Sequence, residues 1–334
     1  MLNCTGAQRM SEMPAAQAVG LGEWRCDSIP IPIIESGKVL VKTSLASICG
    51  SDLHIVHMGW NVQEFPLEHG YPGHEGIGEV IDGGDTEFQA GDLVLTVPSI
   101  WQSKCFAGYQ LIDPRFLLKV PRGVPESHLL MAQQLGTVVF GSRKLPSLIG
   151  KTVAIIGQGS VGLFHDFILR KMGAHKIYAV EPVGERLEAG RNLGVDEVVG
   201  VTGDEATNAI LDLTNGEGAD VVIEAVGSVD TLNQALKMVK PFGKLAAFGL
   251  PPTMEKIPFD WDSFFRKCVD MHSVFGAQDE AGLPAFQLAI DYIVNGEIDM
   301  SPFVTHQFPI SEIQDAFNLA ESRTDGALKV SITF

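Results

Sequence analysis

The feature that most constrains this chain starts near residue 150. T152-V153-A154-I155-I156 is a continuous apolar run of strand length, and G157-Q158-G159-S160-V161-G162 follows at once. S160–M172 then reads as a helix, K176–V180 as a strand and G184–L193 as a helix. D220–A225, T231–V239, K244–F248 and M271–F275 continue the alternation. Strands separated by helices pair in parallel through crossovers, so the region predicts an α/β unit with a parallel, doubly wound sheet.

The glycines have distinct tasks in such a sheet. Gly157 permits the tight turn after the strand, Gly159 lets the backbone approach a pyrophosphate, and Gly162 lets helix and sheet pack closely. The helix opening at Ser160 supplies free N–H groups and a partial positive charge to an anion. A glycine motif alone is weak. Here a strand precedes it, a helix follows it, and Glu181 ends the next strand in I177-Y178-A179-V180-E181-P182. Glu181 can accept hydrogen bonds from the adenosine ribose hydroxyls and would repel a 2′-phosphate, which favours NAD(H) over NADP(H). The nearby Arg186 works against that preference. The competing reading is a glycine turn that binds nothing.

Upstream the rhythm differs. After a lead-in over residues 1–14, short strands are expected at V39–S44, I77–I81, L93–V97 and F106–I112, broken by D82-G83-G84-D85 and A90-G91-D92. This spacing predicts a small β-rich domain. Beyond residue 280 come an amphipathic helix at F286–V294, a helix at I310–A320 and a last strand, L328-K329-V330-S331-I332-T333-F334. That strand has no place in the parallel sheet and is expected to return to the first domain.

The β-rich region holds the reactive side chains. I48-C49-G50-S51-D52-L53-H54 leaves one strand, and P72-G73-H74-E75-G76 enters another. Thiolate, imidazole and carboxylate are zinc ligand types, and Cys49, His74 and Glu75 supply one of each. Singly, each has a bland explanation, as a buried cysteine or a turn residue.

Taken together, C49-G50-S51-D52-L53-H54, G73-H74-E75-G76-I77-G78, A90-G91-D92-L93-V94, G157-Q158-G159-S160-V161-G162, E181 with R186-L187, E224-A225-V226-G227 and F248-G249 resemble the zinc-dependent medium-chain dehydrogenases/reductases, of the alcohol and polyol dehydrogenase kind. The resemblance runs from about residue 15 to the C-terminus. It implies a GroES-like β-rich catalytic domain from residues 15–146 and 278–334, around a Rossmann NAD-binding domain from residues 147–277. It implies Cys49 and His74 as catalytic zinc ligands, with Glu75 as a third ligand or one exchanging with water. Ser51 would bond the substrate hydroxyl, His54 would continue a proton path, and Asp52 would orient a ligand imidazole. Val161, Thr137, Val226, Gly249 and Ser160 join Gly157, Gly159, Gly162, Glu181 and Arg186 as expected cofactor contacts.

Two departures stand out. Polyol-type relatives carry a glutamate facing the metal where this chain has M131-A132-Q133-Q134-L135, so Gln133 (Gln134 if the register slips) or water would complete the site. The lobe of four cysteines that holds a structural zinc in many relatives is missing, since Cys105 alone lies in that region. One catalytic ion and no structural zinc are therefore expected. Trp60 and Trp101 are either walls of the substrate pocket or ordinary packing. His57, His69, His128, His165, His175, His272 and His306 have no partner recognisable in sequence and read as structural.

The expected activity is hydride transfer between NAD and a small-molecule alcohol, secondary or polyol-like. A zinc-free enone or quinone reductase of the same superfamily and a dinucleotide-binding protein without turnover are the alternatives. The formal net charge of −17, without a basic stripe, speaks against nucleic acid and anionic membranes. The scattered cysteines, no signal-peptide pattern and no long apolar run make a cytoplasmic protein the expectation. A homodimer or homotetramer is expected, with M271–G276 as the pairing edge.

Overall fold

The computed structural model describes residues 11–251, 253 and 255–334. Residues 1–10 of the expected lead-in lie outside the described residues, and Glu12–Pro14 belong to a strand instead. That strand, β1 (Glu12–Gly20), forms a two-stranded antiparallel hairpin with β2 (Glu23–Pro30).

β3 (Val39–Ser47) runs into helix α1 (Gly50–Met58), which the strand-based reading of this region missed. β4 (Gly76–Asp82), β5 (Leu93–Thr96), β6 (Tyr109–Ile112) and β7 (Leu117–Lys119) follow. Two further helices, α2 (Glu126–Leu130) and α3 (Ala132–Ser142), were also not foreseen. α3 is buried almost throughout, so it lacks the one-sided pattern that marks a surface helix.

The predicted alternation then appears: β8 (Thr152–Ile156), α4 (Ser160–Lys171), β9 (Lys176–Val180), α5 (Gly184–Asn192), β10 (Glu197–Val199), α6 (Gly203–Leu213), β11 (Ala219–Glu224), α7 (Val229–Met238), β12 (Val239–Ala247), α8 (Trp261–Arg266) and β13 (Asp270–Ser273). These six strands form one parallel sheet in the order β10-β9-β8-β11-β12-β13. The sheet reverses its winding between β8 and β11, the crevice where α/β sheets bind ligands. β8 has no polar face because both faces are covered. Ala154 and Ile156 pack in one cluster, Val153 and Ile155 in another.

α9 (Pro284–Val294), β14 (Val304–Pro309), α10 (Ile313–Ser322) and β15 (Lys329–Thr333) complete the chain. β15 returns to the first sheet as expected. It lies parallel to β14 and antiparallel to β3, with Ser331 opposite Ser47. The second sheet therefore runs β14-β15-β3-β4-β5-β7, with β6 also on β3. The chain's two ends build one sheet and its middle builds the other. No helix among the described residues is long and apolar enough to cross a membrane.

Candidate active site

Cys49 caps α1, and its position is fixed by a residue one turn later. Its backbone N–H donates to Asp52 Oδ2 at 2.8 Å. The other carboxylate oxygen, Oδ1, meets His74 Nδ1 at 2.9 Å. Asp52 is fully buried. One carboxylate thus holds the strand-to-helix turn carrying Cys49 and the ring of His74. In the neutral ring that a metal ion requires, the Nδ1 proton stays on the Asp52 side and Nε2, 3.3 Å from Ser51 Oγ, offers the lone pair. Burial disfavours the imidazolium of His74, yet the Asp52 carboxylate outweighs it and holds the ring well above its usual range. Burial pushes the Asp52 carboxyl up.

Glu75 is 1% exposed. Its Oε2 accepts from Ser47 Oγ and lies 2.5 Å from Lys329 Nζ. Lys329 is itself 3% exposed. Burial opposes the charge on both groups, but their attraction wins. Glu75 is held below the usual carboxylate value, by Lys329 and then His74, and Lys329 is raised. The other oxygen of Glu75, Oε1, is buried with no partner.

Cys49, His74 and Glu75 bring their donor atoms within 4.8 Å of one another. An imidazole with its far nitrogen anchored, a thiol at a helix start and a carboxylate oxygen left unbonded in the interior are what a zinc ion would satisfy. The residues therefore fit the metal.

The trio opens on a cleft of about 310 Å³ between the two sheets. Ser51, His54, Gln133, Gln134 and Thr137 line it from one side. Both glutamines come from the first turn of α3, and Gln134 Oε1 is buried without a partner. His54 is held below its usual value by burial and then by the charge of Arg323.

The opposite wall is the crevice of the parallel sheet, with Gly157, Gly159, Ser160, Val161, Glu181, Arg186, Val226 and Gly249. Gly157 has φ +97°. A Cβ at Gly162 would stand 1.9 Å from Gly157 O, so helix and loop meet there only without a side chain. Gly162 acts through this packing and does not line the cleft. Glu181 accepts from Gln158 N at 2.9 Å through Oε2 and from Val183 N at 3.2 Å through Oε1. Each carboxylate oxygen keeps lone-pair capacity for a further donor.

Comparison with known proteins agrees with this architecture. The profile "Zinc-binding dehydrogenase" matches residues 160–292, and "Alcohol dehydrogenase GroES-like domain" matches residues 35–121. An alcohol dehydrogenase of Cupriavidus necator is 27% identical over 367 residues, covering 96% of this chain and 98% of that protein. The chain belongs to the zinc-type medium-chain dehydrogenases/reductases. A sorbitol dehydrogenase of Bacillus subtilis is 26% identical over 348 residues, covering 96% of this chain and 97% of the relative. The alcohol dehydrogenase of Thermus sp. ATN1 superposes with a TM-score of 0.81 at 25% identity, covering 96% of this chain and all of that one. The fold is accordingly the GroES-like and Rossmann pair of this family.

Within this family member, one expectation needs adjustment and two open points are resolved. His57, His69 and His306 do have partners: Glu321 at 3.1 Å, Asp27 at 2.9 Å and Asp325 at 3.5 Å. Each partner is distant in sequence or lies across a loop. Trp60 is buried and stacks on Trp101 at 5.4 Å, and neither lines the cleft. Cys105 is enclosed beside Thr96 and Gln110, and burial pushes its thiol up to about 12.

Ser47, Lys329 and Arg323 were not singled out in sequence. Lys329 had a readable signal, a lysine in an otherwise strand-like C-terminal run. Its partner lies 254 positions away and could not be read.

Proposed function

We propose that the chain is a zinc- and NAD-dependent dehydrogenase of secondary alcohols or polyols. The observation that carries this is the trio Cys49, His74 and Glu75 opening onto the same cleft as the glycine turn and Glu181. Cys49, His74 and Glu75 would hold one catalytic zinc per chain, without a structural zinc. The unpartnered Oε1 of Gln134 favours the slipped register over Gln133 for the remaining position, with water as the alternative. Bound zinc would supply Lewis acidity at the alcohol oxygen, and bound NAD would accept the hydride.

The residues do the rest. Ser51 Oγ, beside His74, receives the hydroxyl proton of the substrate, and His54 passes it toward solvent. His54 suits this role because burial and Arg323 keep its imidazole neutral and able to accept. Glu181 binds the adenosine ribose hydroxyls and disfavours NADP, while Val161, Thr137, Val226 and Gly249 border the nicotinamide ring and its ribose. Residues 15–146 and 278–334 form the catalytic domain, and residues 147–277 the NAD-binding domain. We place the protein in the cytoplasm as a homo-oligomer. The largely exposed edge strand β13 and the exposed Phe275 beyond it support pairing there. Light scattering tests that pairing, and a monomer would refute it.

The test of the activity is zinc per chain by elemental analysis, followed by NADH formation from a panel of alcohols and polyols. About one zinc is expected, with Cys49→Ser losing metal and turnover together. No zinc uptake together with NADPH-dependent enone reduction would instead make it a zinc-free reductase. NADH binding without turnover on any alcohol or carbonyl would make it a binding protein.

A further inference from the structure

The loop after β5 is tied to the metal trio at its base. Ser103 is fully buried, and its Oγ donates to Pro72 O at 2.8 Å. Cys105 N donates to Gly73 O at 2.8 Å, directly before His74. These two bonds fix the loop against the turn that delivers His74. Pro98 and Ile100 of the same loop line the cleft.

Trp101 carries the loop across to the other layer. Its ring stacks on Trp60 at 5.4 Å, with the planes 15° apart, and meets Phe275 at 6.3 Å, tilted by 46°. Both separations lie in the range of attractive aromatic pairs. Trp60 stands just beyond α1, where its backbone N–H donates to His54 O at 3.0 Å. Phe275 lies two residues beyond β13, and the N–H of its neighbour Val274 donates to Ala247 O at 3.3 Å. The three rings therefore run from the helix of Ser51 and His54, over the loop, to the edge of the parallel sheet. They bridge the two layers that enclose the cleft.

Exposure locates this bridge. Trp60 is buried, Trp101 is 43% exposed and Phe275 is 51% exposed. Phe275 also lines the cleft, whereas Trp101 packs against it from outside. A side chain that lines a cleft and is half in water belongs to its rim. Inside the rim, Leu53, Pro98, Ile100 and Val274 make an apolar wall. Such a wall offers no partners to a row of hydroxyl groups and leaves those it covers unpaired.

We propose that the stack of Trp60, Trp101 and Phe275 is the size-selecting mouth of the cleft, with Trp101 positioning Phe275, and that the substrate is a small alcohol with apolar flanks. The substrate class rests on the dehydrogenase reading. The size of the mouth does not, so it is measured twice, with and without turnover.

The first measurement is kcat/KM with NAD for isopropanol, the bulky secondary alcohol benzhydrol, and sorbitol. The parent should favour isopropanol over both. Trp101→Ala should raise benzhydrol relative to isopropanol by about tenfold, chiefly through KM, since pocket fit discriminates on this scale. Phe275→Ala opens the mouth from the other layer and should act in the same direction, while Trp101→Phe should stay near the parent. The second measurement is alkylation of Cys49 at the cleft floor by iodoacetamide and by N-pyrenylmaleimide, read by peptide mass spectrometry. Each rate is taken relative to the exposed Cys268. Trp101→Ala should raise the pyrenyl rate at Cys49 by a similar factor and leave the iodoacetamide rate unchanged. If both ratios stay at the parent value in both alanine variants, the mouth is not there. An equal loss on every alcohol would make the stack merely structural and would also overturn the proposal. Sorbitol preferred over isopropanol would overturn the apolar substrate. If the parent oxidises no alcohol while the alkylation ratio shifts as expected, the dehydrogenase reading fails and the mouth stands.

Discussion

Glu75 and Asp166 are both enclosed carboxyl groups, at 1% and 0% exposure, on opposite sides of the cleft. Glu75 belongs to the trio and has Ser47 and Lys329 around one oxygen. Asp166 lies on α4 behind the glycine turn. Its neighbour there is the Gln158 amide, whose Nε2 donates to Asp166 Oδ1 at 3.3 Å. Asp166 Oδ2 and Gln158 Oε1 are buried without partners. A charged Asp166 would leave both acceptors unsatisfied. A protonated Asp166 has the one donor the pair lacks, and burial drives its carboxyl well above the usual range. A buried carboxyl keeps its charge where a cation has been built beside it, as at the candidate metal cluster. Where only an amide is available, it becomes neutral.

Removing the cation at the first site breaks this contrast most strongly. Lys329→Met should destabilise the metal-free protein by about 3–5 kcal/mol in chemical denaturation, because it leaves Glu75 charged and unpaired in the interior. Adding Glu75→Gln to that variant should recover much of the loss. If the single variant is as stable as the parent, Glu75 does not depend on Lys329. A smaller effect is expected from Asp52→Asn, which keeps the shape but weakens the hold on His74 Nδ1. Zinc affinity measured by chelator competition should fall by about 10–100-fold. An unchanged affinity would show that Cys49 and His74 need no such anchor.

Much of this was legible because it is local. The parallel sheet follows from apolar runs of strand length alternating with helices, and the glycine turn lies within a few residues of its strand and helix. Cys49, Asp52 and His74 could be read as chemistry because a thiol, a carboxylate and an imidazole leave and enter neighbouring strands together. The illegible part is long-range. Lys329 reaches Glu75 through the pairing of β15 with β3, and Arg323 reaches the cleft through the cap of α10. The helices α1, α2 and α3 were missed for another reason. They sit among short strands, and α3 is buried on nearly all sides, so the periodicity that reveals a helix is absent. Gln158 and Asp166 belong to a recognised motif and its helix, but their pairing depends on the loop folding back over α4.

Asp166 gives the smallest effect and the clearest sign. A carboxyl whose folded pKa is raised binds its proton in the native state while the unfolded chain has already released it. Stability from this group is therefore complete below the unfolded value of about 3.9 and falls as pH rises toward the folded value. The slope is at most about 1.4 kcal/mol per pH unit for one proton. Asp166→Asn supplies a permanent neutral donor to Gln158 Oε1 and has no proton to lose. Against the parent it should gain stability in urea titrations as pH rises above about 4, until the folded carboxyl ionises, while Asp166→Ala, which leaves the Gln158 amide unpaired, should lose about 1–3 kcal/mol. A constant difference between Asn variant and parent at every pH above about 4 would mean that the Asp166 carboxyl is not raised in the folded chain and that the contrast with Glu75 is wrong. The opposite slope below about pH 4, with the parent gaining on the variant as pH rises to the unfolded value, would place an unrecognised cation beside the glycine turn.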